Sequence, residues 1–112
     1  MRVKLVGLLA AIFSFMSFAG LSLSAEVQHA SDPAAGAAYA KQYCAKCHAI
    51  NRGETSPEPT APPFIDVANT KGMTATALTV WLTTSHPTMP NIVIDPHDMD
   101  NVVAFILSLK QE

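Results

Sequence analysis

Cysteine is scarce in this sequence: two in 112 residues, at positions 44 and 47. Two thiols cannot form the disulfide framework that staples many small exported domains. Charge is thin as well, at 14 % of residues, and no basic run interrupts it. The net charge of −2 argues against nucleic acid and against anionic lipid as partners, since both reward clustered Lys and Arg. No internal repeat and no low-complexity tract is present, which removes solenoids and flexible linkers from consideration. A chain of this length is one domain at most.

What is abundant is apolar sequence, concentrated in the first quarter. Arg2 and Lys4 open the chain, and Leu5 to Leu23 follows without a single charge. Ser22, Ser24 and Ala25 supply small residues at its exit. A positive start, an apolar stretch and a small-residue exit describe a secretory signal peptide, expected to span residues 1–25 with the cut after Ser24 or Ala25. The run is long enough for a membrane anchor, but its Ser and Gly content and the lack of a basic stop-transfer cluster favour cleavage. The remaining domain, residues 26–112, keeps five Lys and Arg against nine Asp and Glu, near −4. A domain this small buries little surface and usually needs a staple or a cofactor. With disulfides excluded, a cofactor is expected.

Three helices can be placed. Asp32-Pro33 provides a cap and a proline suited to the first turn, and Ala34–Tyr43 is Ala-rich without a breaker. Thr74–Thr84 is the second, with Leu78, Trp81, Leu82 and Ser85 on one side and Pro87 closing it. The third starts at Asp95-Pro96, with Asp98 at capping-box spacing, and carries Val102, Val103, Phe105, Ile106 and Leu109 on an apolar face. Asn51 to Pro63 holds four prolines and reads as a stiff loop; His86 to Ile94 is irregular. The fold class is all-α. Long strandless loops in so small a domain need something to wrap around.

Chemistry concentrates at Cys44-Ala45-Lys46-Cys47-His48. Two thiols at this spacing with His directly after form the c-type haem attachment signature. The thiols add across the two porphyrin vinyl groups as thioethers, and the following imidazole ligates iron from below. A thioredoxin-type dithiol needs a preceding strand, and a zinc finger needs a His pair at its own spacing; neither pattern is present. On the other side of the iron Met89 is the candidate, in the proline-braced Thr88-Met89-Pro90, because a thioether favours reduced iron. His86 and His97 are rival ligands, while Met73 and Met99 read as core filler.

In this order the residues resemble the class I cytochromes c, over roughly Asp32 to Lys110. Gly36 stands eight residues before Cys44, Ala61-Pro62-Pro63-Phe64 resembles the family's Gly-Pro-x-Leu turn, and Met89-Pro90 resembles its ligand loop. Residues 101–109 match the family's closing helix. The resemblance implies a cytochrome c fold of three to four short helices around one covalent haem c, and electron transfer rather than enzymatic turnover. It implies Cys44 and Cys47 as attachment points, His48 and Met89 as axial ligands, and the Pro62 carbonyl as acceptor for the proximal imidazole. Gly36 would let the first helix cross the last near Phe105. Phe64, Leu78, Trp81, Leu82 and Ile106 would pack against the porphyrin. The lysine ring of the mitochondrial type is missing, and Ala61 replaces the family's Gly. Haem attachment after export places such a protein in the bacterial periplasm, with a periplasmic dehydrogenase, an oxidase or a membrane cytochrome complex as redox partner, and with no membrane association unless the leader is retained.

Overall fold

The computed structural model describes residues 30–112; the expected signal peptide and the first residues of the expected mature domain lie outside them. Four helices occur in the order α1 (Pro33–Tyr43), α2 (Phe64–Asn69), α3 (Ala75–Thr83) and α4 (Pro96–Ser108), with no strand among the described residues. The all-α expectation holds.

Each of the three anticipated helices starts where its cap residue stands. The Asp32 carboxylate accepts the Ala34 N–H at 2.8 Å, the Thr74 hydroxyl accepts from Ala77 N, and the Asp95 carboxylate accepts from His97 N at 3.0 Å. These side chains satisfy N–H groups that a helix's first turn leaves without partners. Thr74 and Thr84 flank α3 as caps rather than belonging to it. α2 is the helix that periodicity did not reveal, because six residues are fewer than two turns. Pro63, at φ −56°, supplies a backbone already suited to helix entry, and Asp66 sits in the first turn. Tertiary pairing does the rest: Phe64 N–H donates to the Ala49 carbonyl at 2.9 Å.

α1 packs chiefly on α4, and the crossing point is Gly36. A Cβ built there would collide with the Asn101 carbonyl of α4 and come within 2.8 Å of Phe105 Cβ. The glycine therefore exists for close approach, as the resemblance implied, and not for backbone freedom. Asn101, buried in the same place, accepts the Asp32 N–H on its Oδ1 at 2.7 Å and so ties the start of α1 to the middle of α4. This buried polar tie was not legible in the sequence. Below the crossing lie Ala40, Phe64, Leu78, Val102, Val103 and Ile106, all buried in one cluster. Met73 and Met99 belong to it too, which settles them as core.

Of the residues expected on one side of α3, the protein core takes up only part. Leu78 is buried and Leu82 half-buried, but Trp81 is 55 % exposed and Ser85 is exposed. Among the other helices only α4 packs against α3.

Candidate haem site

The last turn of α1 runs directly into the thiol segment. Cys44 N–H donates to the Ala40 carbonyl at 2.8 Å, and both Cys47 and His48 donate back to the Cys44 carbonyl at 3.1 and 3.0 Å. The chain thus keeps winding after Tyr43, which brings Cys44, Cys47 and His48 onto consecutive turns. Both thiols are free and half-buried. Burial pushes the Cys44 thiol up to about 11, so it is neutral at neutral pH and compatible with an apolar neighbour.

The segment after His48 is stitched to its surroundings. Ala49 N–H donates to the buried Ser56 hydroxyl at 3.0 Å, and Glu58 N–H reaches back to the Cys47 carbonyl at 3.2 Å. These bonds fold the proline-rich loop over the thiol turn and deliver Pro62 to the imidazole. His48 Nδ1 lies 2.7 Å from the Pro62 carbonyl oxygen. A carbonyl only accepts, so Nδ1 carries the proton and, in the neutral ring, Nε2 keeps its lone pair for a metal. The ring also rests against Phe64, centroids 5.2 Å apart, and Phe64 meets Phe105 edge-on at 6.4 Å. Ala61 needs no glycine: Thr88 is the one non-glycine residue with positive φ among those described, so the turn before Pro62 accepts a side chain without strain.

Met89 stands apart from this set. It is half-buried in the loop between α3 and α4, and no hydrogen bond joins that loop to the thiol turn among the described residues. Its rivals are engaged locally. His86 Nδ1 lies 3.0 Å from the Thr84 carbonyl, and its ring sits edge-on to Trp81 at 5.2 Å. His97 occupies the first turn of α4 beside Asp98 and Asn101. The structure therefore gathers Cys44, Cys47, His48 and Pro62 and leaves Met89 on a separate loop.

The donors present fit a haem. Two half-buried thiols, an imidazole with its tautomer fixed and the aromatic Phe64 alongside suit a flat, largely apolar ring with a metal at its centre. Among the described residues no group of three His, Cys, Asp or Glu side chains is placed to hold a bare metal ion by itself. An all-α domain built to hold such a ring through sulfur and nitrogen is a c-type haem protein. The chain belongs to the cytochrome c family, whose model matches residues 33–110. It is similar to cytochrome c-552 of Bradyrhizobium diazoefficiens, with 31 % identity over 81 residues, covering 72 % of this chain and 78 % of the relative. No solved structure matches significantly. As a family member the protein carries haem c covalently and serves as an electron carrier that works with redox protein partners.

Proposed function

We propose that the protein is a periplasmic single-electron carrier whose one haem is attached through Cys44 and Cys47 and ligated by His48 and Met89. When bound, the haem supplies the redox chemistry, its iron holding or releasing one electron. The observation that carries the reading is the 2.7 Å approach of His48 Nδ1 to the Pro62 carbonyl. That bond orients the imidazole and leaves Nε2 as the metal-binding nitrogen.

Cys44 and Cys47 fix the ring to a rigid turn, so little of the protein has to move when an electron arrives or leaves. Phe64 lies against the His48 ring and joins it to the core beneath. Met89 supplies a soft sulfur that favours reduced iron, and its proline-flanked loop limits how far it can move. With His48 and Met89 both holding the iron, no position would remain for a substrate, which is why turnover is not proposed. The expected leader would bring the chain to the compartment where haem is attached, and no helix among the described residues is long and apolar enough to cross a membrane. The partner is a periplasmic dehydrogenase, an oxidase or a membrane cytochrome complex.

The test is carbon monoxide. The reduced holoprotein at neutral pH is expected to leave it unbound; stoichiometric binding would show an open iron position and turn the reading towards a sensor or peroxidase.

A further inference from the structure

The loop thought to carry the distal ligand contains one backbone anomaly. Thr88 lies at φ +73°, directly between Pro87 and Met89. A side chain branched at Cβ strongly disfavours that region, because the Cβ crowds the neighbouring carbonyl. The two glycines that share the conformation, Gly53 at φ +78° and Gly72 at φ +79°, have no Cβ to crowd. Pro87 followed by a residue of this φ is the pattern of a type II turn, whose third position ordinarily takes Gly or Asn. Thr88 is exposed, so no packing compensates it, and its side chain makes no hydrogen bond among those described. Its neighbours have little freedom to relieve it: Pro87 has a fixed φ, and Met89, preceding Pro90, is steered away from helical backbone.

We propose that Thr88 is a positioning residue that holds Met89 in place through a strained turn, so that the methionine is released more readily than a relaxed turn would allow. The proposal rests on Met89 being the distal ligand. The cost of the turn stays with Thr88 for as long as the loop keeps this backbone. When an external ligand takes the iron position and the loop swings away, Thr88 can return to an ordinary φ. The strain therefore weakens retention of Met89 without weakening the Cys44 and Cys47 attachment.

The experiment titrates the oxidised, full-length holoprotein with imidazole and follows the weak near-infrared sulfur–iron band, alongside denaturant unfolding of the same samples. Thr88→Asn keeps a side chain but tolerates positive φ, Thr88→Gly removes the crowding altogether, and Thr88→Val keeps the branched shape without the hydroxyl. The Asn and Gly variants are expected to need about fivefold more imidazole to lose the band, from the ordinary cost of a left-handed residue. The Val variant should match wild type. Asn and Gly midpoints equal to or below wild type, or a Val variant that moves with them, would overturn the proposal. A wild-type protein with no sulfur–iron band would instead remove the His48/Met89 ligation on which it stands, so the two failures are told apart in the same cuvette.

Discussion

The two sides of the site are built by different means. On the His48 side, a chain of bonds runs from the end of α1 through the thiol turn and the proline-rich loop to Pro62 and on to α2. On the Met89 side, the hydrogen bonding described for residues 85–94 is confined to His86 and the Thr84 carbonyl. One side is held by hydrogen bonds and a buried core, the other by the dihedral limits of Pro87, Pro90 and the strained Thr88. Under the proposed ligation, such a division would keep His48 fixed while Met89 is tuned by a few loop residues.

The largest effect should come from removing the attachment itself. Cys44→Ala with Cys47→Ala is expected to abolish covalent haem, read by haem staining after denaturing electrophoresis, and to leave a largely unfolded chain by circular dichroism. A folded, soluble apoprotein would mean that the His48 side is self-sufficient.

Next in size is Gly36→Ala. Its new Cβ meets backbone, which cannot step aside, so α1 and α4 must part. A loss of about 3 kcal/mol in urea unfolding is expected, at the upper end of overpacking costs. The α1–α4 crossing supports the thiol turn, so this variant should also lower haem incorporation.

Met89→Ala sharpens the contrast from the other side. Covalent haem should remain, the sulfur–iron band should vanish and the reduction potential should fall, because soft sulfur is lost as a ligand. Global unfolding should move less than in Gly36→Ala. An unchanged spectrum and potential would pass the ligand role to His86 or another group.

Smaller effects are expected at the polar ties. Asn101→Ala leaves the Asp32 N–H without its acceptor and should cost about 1–2 kcal/mol. Arg52→Ala removes two long contacts, 3.2 and 3.3 Å, to the carbonyls of Ser108 at the end of α4 and of Lys110 beyond it, and should cost about 0.5 kcal/mol. Neither should alter the spectrum.

Much of this was legible before any coordinates. The caps Asp32, Thr74 and Asp95 and the apolar face of α4 are local signals, and local signals survive folding. The Cys-x-x-Cys-His turn is likewise contiguous, and its spacing is set by the cofactor. What the residues did not reveal depends on chain segments far apart. α2 forms because Phe64 pairs with Ala49, and Asn101 is buried because α1 begins beside it. Trp81 reads as part of an apolar side by spacing, yet it lies outside the protein core. The φ of Thr88 could be suspected only from Pro87, since threonine is the residue least expected there.

The central claim is a covalent haem with His48 and Met89 on its two faces, and one visible absorption spectrum of the exported protein, oxidised and then dithionite-reduced, tests it most directly. The account predicts sharp reduced α and β bands and a weak near-infrared sulfur–iron band in the oxidised form. Covalent haem lacking that band would contradict the ligation, and a haem-free protein from a host able to attach haem would contradict the claim as a whole.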